Sequence, residues 1–122
     1  CYRHQCEMTS AKVAEFLNLK KGSYSTSFQS RVSILGKWLK PYTDKTVKKF
    51  AKSGVKELAI ATPAFVSDCL ETLEEIGMEA AEDFEDNGGK NLHVIPCIND
   101  REEWVNVLSR WIDEWAHLKV KK

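Results

Sequence analysis

The stretch Leu58-Ala59-Ile60-Ala61-Thr62-Pro63-Ala64-Phe65-Val66-Ser67-Asp68-Cys69-Leu70-Glu71 runs from consecutive apolar residues, through a proline-containing turn, into the start of an acidic segment. A short unbroken apolar run reads as a strand buried on both faces, the pattern a covered parallel sheet demands. Pro63 ends it, and Asp68, Glu71, Glu74 and Glu75 fall in the first turns of the helix that follows. Open α/β sheets place ligands beyond the carboxyl ends of their strands, so this acidic cluster lies where a site is expected.

Downstream, Ala80, Ala81 and Phe84 continue the helical pattern up to Asn87-Gly88-Gly89, and Leu92 to Ile95 forms another strand ending at Pro96. A last helix follows. Its stripe of Trp104, Val107, Leu108, Trp111, Ile112, Trp115 and Leu118 has the three-and-four spacing of a buried face. Upstream, Thr43 caps a helix that has Asp44 in its first turn, Val47 and Phe50 on one side, and Gly54 at its end. Before it, Tyr24 to Gln29 reads as a short strand and Arg31 to Pro41 as an ordered loop. Cys6, Thr9, Val13, Phe16 and Leu17 mark a first amphipathic helix stopping at Lys20-Lys21-Gly22. Helices and strands therefore alternate, which predicts an α/β fold: about three parallel strands with flanking helices, half of a three-layer sheet.

The chain has 122 residues, a single domain by length, with eighteen basic and eighteen acidic residues. Balanced charge offers no general field for nucleic acid or an anionic membrane, and recognition must be local. Lys119, Lys121 and Lys122 read as a solvated helix end. No apolar run approaches a membrane span and no secretory leader is visible, so a cytoplasmic protein is expected. The four cysteines, Cys1, Cys6, Cys69 and Cys97, form no C-x-x-C pair, which fits reduced thiols better than disulfides or a structural metal site.

Asp68, Glu71 and Glu75 share one helical face. A structural account covers part of it, since acids suit the first turn and Asp68-x-x-Glu71 has capping-box spacing. It does less well beyond that turn, where Glu71 and Glu75 repel by ~0.2–0.5 kcal/mol. If the face is partly closed from water, desolvation and repulsion raise at least one carboxylate pKa towards neutrality, and the same oxygens attract a divalent cation. His93 reads as a half-buried core side chain, and His4 and His117 as helix-end residues. Phe28, Trp38 and Tyr42 are candidates for an apolar floor under a flat ligand.

Ser27-Phe28-Gln29-Ser30-Arg31, Trp38-Leu39-Lys40-Pro41-Tyr42-Thr43-Asp44, Gly54-Val55-Lys56 and above all Phe65-Val66-Ser67-Asp68-Cys69-Leu70-Glu71-Thr72-Leu73-Glu74-Glu75-Ile76 resemble ferrochelatases of the bacterial type. Tyr2-Arg3-His4-Gln5-Cys6, Gly88-Gly89-Lys90 and Ile95-Pro96-Cys97-Ile98-Asn99 extend the resemblance over essentially the whole chain. It implies a chelatase-like (Rossmann- or flavodoxin-like) carboxyl-terminal lobe and insertion of ferrous iron into protoporphyrin IX. Iron is then a substrate, with no tightly bound cofactor. The resemblance also implies that Glu71 binds the metal or accepts a proton, that Glu75 and Asp68 continue an acidic path, and that Ser30, Arg31 and Trp38 contact the porphyrin. The family's histidine motif, which faces the glutamate across the porphyrin, and its amino-terminal lobe are not among these residues. The loop Val32 to Lys37 is longer than the family's and carries Ser33 where glycine is usual.

The chain is therefore expected to be a ferrochelatase fragment, nearly inactive by itself, needing its missing lobe and able to form a homodimer through the last helix. The alternatives are a related chelatase for another metal or tetrapyrrole, such as cobalt or coproporphyrin, and a non-catalytic α/β interaction module with a merely capped and solvated acidic helix.

Overall fold

The computed structural model describes residues 1–29 and 38–120; Ser30, Arg31 and the loop 32–37, together with Lys121 and Lys122, lie outside the described residues. Helix α1 spans Tyr2–Phe16. It ends earlier than Gly22 because Asn18 takes the left-handed conformation (φ 52°). Asn18 N–H donates to Glu15 O (3.0 Å) and Leu19 N–H to Ala14 O (2.9 Å), which satisfies the last carbonyls without glycine.

Residues 24–29 do not form the predicted strand. Phe28 makes one isolated parallel bridge to Tyr42, and its neighbours Ser25, Thr26 and Ser27 offer little apolar surface to a sheet. Ser27 Oγ instead meets Thr43 Oγ1 at 3.0 Å. Helix α2 spans Thr43–Lys52 with Tyr42, not Thr43, at its N-cap, so Thr43 is the first helical residue and its hydroxyl caps nothing. Gly54 (φ 94°) closes α2 as expected, with Val55 N–H donating to Phe50 O at 3.1 Å.

Strands β1 (Glu57–Ala61) and β2 (Asn91–Ile95) pair in parallel, Glu57 opposite Asn91 through Ala61 opposite Ile95. Between them a π-helix over Glu71–Glu79 runs directly into α3, Ala80–Asp86. Gly88 (φ 99°) ends α3, and Gly89 N–H returns to Phe84 O at 2.8 Å. The register is then fixed by Lys56 O, which accepts both Lys90 N–H (2.9 Å) and Asn91 N–H (3.0 Å).

The core lies on one side of the sheet. Val47 and Ala51 of α2 pack with Ala80 and the fully buried Phe84 of α3, against Leu58, Ile60 and Leu92. The fold is thus α/β with a parallel sheet and flanking helices, as the alternation predicts, but it holds two strands among the described residues. Its second face, made by Glu57, Ala59, Ala61, Asn91, His93 and Ile95, is exposed, so β1 is covered on one side only. His93 accordingly points to solvent, not to the core. Its Nε2 lies 3.0 Å from Glu57 Oε2, and Asn91 Nδ2 donates to Glu57 Oε1 at 2.7 Å. These hydrogen bonds, His93's first, hold the Glu57 carboxyl below its ordinary value.

Helix α4 spans Glu102–Val120. Trp104 is half-buried and meets Trp111 edge to face at 5.9 Å, whereas Trp111, Ile112, Trp115 and Leu118 are more than half exposed. The stripe read as a buried face is therefore uncovered over its second half. No described helix is long and apolar enough to cross a membrane.

A methyl group at position 89 would collide with the Phe84 ring. Gly89→Ala is expected to lower unfolding stability by about 1–3 kcal/mol, as overpacking does, measured by urea denaturation; an unchanged midpoint would mean that the ring can move aside.

Candidate active site at the strand ends

The loops leaving the two strands meet beyond their carboxyl ends, and Asp68 joins them. Asp68 N–H donates to Asn99 Oδ1 at 2.8 Å while Asn99 Nδ2 donates back to Asp68 Oδ2 at 2.8 Å. The other carboxylate oxygen accepts the Thr72 hydroxyl at 3.0 Å and Cys97 N–H at 3.4 Å. Asn99 N–H donates to Val66 O (2.9 Å), with Asn99 itself in the left-handed region at φ 54°. Asparagine is among the few residues besides glycine to adopt that geometry readily. Behind the pair, Thr62 Oγ1 and Cys97 Sγ lie 3.5 Å apart, and burial pushes the Cys97 thiol upward.

The capping box expected between Asp68 and Glu71 is replaced by another arrangement. Cys69 N–H donates to Thr72 Oγ1 at 2.9 Å, so the buried threonine satisfies the free donor. Glu71 is thereby released from a capping role. It is the first residue of the π-helix, half-buried, and a hydrogen bond from the Cys69 side chain, followed by its own backbone N–H, holds its carboxyl below the ordinary value. Asp68 is lowered as well, chiefly by Asn99, then by Cys97 and Thr72. The raised carboxylate expected of a desolvated cluster is found at neither residue, because donors to the charged form outweigh burial.

Farther along the same rod, half-buried Glu75 lines an open cavity of about 370 Å³ with Glu79, Asp83 and Ile76. Its opposite wall is the bridged segment and the amino end of α2: Phe28, Gln29, Tyr42, Thr43, Asp44 and Lys45. Of the three aromatic residues considered for an apolar floor, Phe28 and Tyr42 line this cavity and Trp38 does not. Lys40 and Lys45 place their ammonium groups 5.8 and 5.5 Å from the Tyr42 ring centre. Trp38 is partly exposed beside this wall and donates from Nε1 to Gln29 O at 3.0 Å.

The predicted site residues thus divide. Asp68 is held in the clamp between the loops, Glu71 stands beside Cys69, Glu75 faces the cavity, and Trp38 borders it. Ser30 and Arg31 lie outside the described residues. Among the described residues no group of three or more His, Cys, Asp or Glu side chains converges on a metal-sized site. Asn99 and Thr72 were not singled out from sequence. Their signals are faint: an asparagine after a strand-ending Pro-Cys-Ile, and a hydroxyl four residues after an aspartate.

Thr72→Val keeps the shape but strands Cys69 N–H, and a loss of about 1–3 kcal/mol is expected in denaturant unfolding. Asp68 has a lowered folded-state pKa, so its stabilising effect is complete above the unfolded carboxylate value and fades as pH falls through the folded one. The stability gap between the parent and Asp68→Ala should accordingly be largest at neutral pH and close in acid; a gap independent of pH would mean the carboxylate's charge is not what the clamp uses.

Residues 1–116 match the family model described as Ferrochelatase. The chain is 49% identical over 109 residues to a ferrochelatase of Pseudomonas putida, covering 89% of this chain and 32% of that protein. It is 51% identical over 107 residues to a ferrochelatase of Brucella ovis, covering 88% and 30% respectively. The chain therefore spans about a third of the length of the curated relatives it matches. By this match over nearly its whole length, the chain belongs to the ferrochelatase family.

Proposed function

We propose that this segment forms the acidic wall of a metal-ion chelatase that inserts ferrous iron into protoporphyrin IX, with iron as substrate and no tightly bound cofactor. The observation that carries the reading is the acidic rod that starts at Glu71 and whose Glu75, Glu79 and Asp83 line a cavity shared with Phe28 and Tyr42, in a chain of this family. Insertion replaces two pyrrole N–H protons by one dication, so the reaction needs an anionic wall beside an apolar slot and a route for the protons. Glu71, with its lowered carboxyl, is ionised at neutral pH and attracts the metal. A proton it accepts is held weakly and can move on. Glu75 stands next along the rod, and Glu79 and Asp83 continue the acidic lining outward. Trp38, Ser30 and Arg31 are assigned to the porphyrin rim.

Two measurements test this. In the full-length enzyme carrying this segment, Glu71→Gln should lower zinc or iron insertion by about 10²-fold or more with the fold intact; a near-parental rate removes Glu71 from the mechanism. These 122 residues alone should insert almost no metal, because they span about a third of the length of the ferrochelatases they match and the family resemblance puts the facing histidine and the second porphyrin wall outside them. Robust turnover by the segment overturns that partition. Product analysis of the full-length enzyme distinguishes protoporphyrin from coproporphyrin, and iron from cobalt.

The exposed second half of the α4 stripe also makes self-association of the isolated segment the expected state. Sedimentation should report a dimer that Trp111→Glu dissociates; a monodisperse monomer at high concentration would remove the dimer.

A further inference from the structure

We infer that Asn99 is a positioning residue for metal insertion, and that Asp68 serves the reaction as Asn99's partner in a loop clamp, not as a member of the proton path. The inference rests on the chelatase reading above and deepens it.

Asp68 and Asn99 meet twice, backbone N–H to carboxamide oxygen and carboxamide N–H to carboxylate, each at 2.8 Å. The carboxylate oxygen that Asn99 leaves free is taken by Thr72 and Cys97 N–H. Both oxygens are thus engaged within the protein, and neither is turned to the cavity that Glu75 lines. Thr72 in turn holds Cys69 N–H at 2.9 Å, and Thr72 is the residue next to Glu71 in the first turn of the π-helix. A continuous set of hydrogen bonds therefore runs from Asn99, on the loop after β2, through Asp68 to Thr72 and Cys69, the residues that flank Glu71 at the start of the π-helix. Asn99 is anchored at its own end by Val66 O and by a left-handed backbone that most side chains resist. Displacing a reacting group by 1 Å can cost about 10²-fold in rate, so a clamp of this kind matters to turnover without touching substrate.

The two side chains are isosteric, and this gives a decisive experiment. Asn99→Asp alone sets two carboxylates face to face at the separation now spanned by an N–H···O bond. The exchange Asp68→Asn with Asn99→Asp restores every bond in reverse: the new amide at 68 donates to the new carboxylate at 99, still accepts from Thr72 and Cys97 N–H, and the backbone N–H at 68 keeps its acceptor. Zinc insertion into protoporphyrin would be measured in the full-length enzyme at a temperature well below unfolding, with kcat and KM separated. Asn99→Gly, which tolerates the left-handed backbone, serves as the side-chain deletion.

Asn99→Asp should lower kcat by about 10²-fold, and Asn99→Gly by about tenfold, with porphyrin KM little changed. The exchanged pair should recover at least about tenfold of the loss seen in Asn99→Asp. A parental kcat in both single variants overturns the inference, since the clamp would then be irrelevant to turnover. An exchanged pair that is folded and binds porphyrin but stays as slow as Asn99→Asp also overturns it, because the negative charge at 68 would itself be needed. If instead Glu71→Gln turns over normally, the chelatase reading fails, whatever these variants do.

Discussion

Two parallel strands end side by side, and the loops that leave them are tied by the reciprocal bonds between Asp68 and Asn99, with Asn99 N–H to Val66 O beside them. Parallel pairs need long crossovers and gain slightly less per residue than antiparallel ones, so a two-stranded parallel sheet is held chiefly by what packs on it and by what ties its ends. Phe84 and its neighbours supply the first, on one face. The clamp supplies the second. Asp68 lies just before the π-helix, so the clamp sits at the entry to the acidic rod.

Beyond the clamp the rod has a simple logic. Thr72, Ile76, Ala80 and Phe84 are buried, and all are four residues apart; Glu71, Glu75, Glu79 and Asp83 follow the same interval one residue earlier. In an α-helix, with 3.6 residues per turn, a step of four overshoots a full turn and the row winds off the core. With i→i+5 bonding a step of four falls short instead, as at Ala80 N–H to Glu75 O. A π segment followed by α3 therefore offsets one drift with the other, and two rows of constant spacing, one apolar and one acidic, stay on their own sides. Long π-helices are uncommon and favour functional sites. Here the unusual ladder is what keeps the carboxylates aligned over more than two turns.

That compensation explains why so much could be read from the residues despite the wrong helix type. The α period and the π period select nearly the same partners at a separation of four, so Glu71 and Glu75 fall on one row under either ladder, whereas Asp68, which precedes the rod, is held in the clamp between the loops. Strands β1 and β2, and the glycine ends at Gly54 and Gly88, were legible because apolar runs and left-handed glycines are local signals. The segment around Phe28 was not. Its alternation of aromatic and hydroxyl residues mimics a strand, and among the described residues it makes one bridge, to Tyr42. His93 was misplaced for a related reason: an unbroken apolar neighbourhood suggests two covered faces, and coverage is a property of what lies across the sheet. Asn99 escaped notice because its partner is thirty-one residues away.

The electrostatics carry the last step. A cluster of acids on a partly covered helix is expected to hold a proton, yet Asp68 and Glu71 are both pulled the other way by donors that the fold places against them. On the proposed reading this divides the labour. Asp68, with donors on both oxygens, keeps its charge for structure. Glu71 is lowered by the Cys69 side chain and its own backbone N–H, so its carboxylate stays ionised and can attract a cation. A carboxylate of this kind is a poor resting place for a proton but a good relay, since the proton it accepts is acidic enough to move on. The rod beyond it supplies the next acceptors at a constant interval. A raised pKa at Glu71 would have favoured proton storage at the expense of metal attraction, and insertion of a dication needs the attraction first.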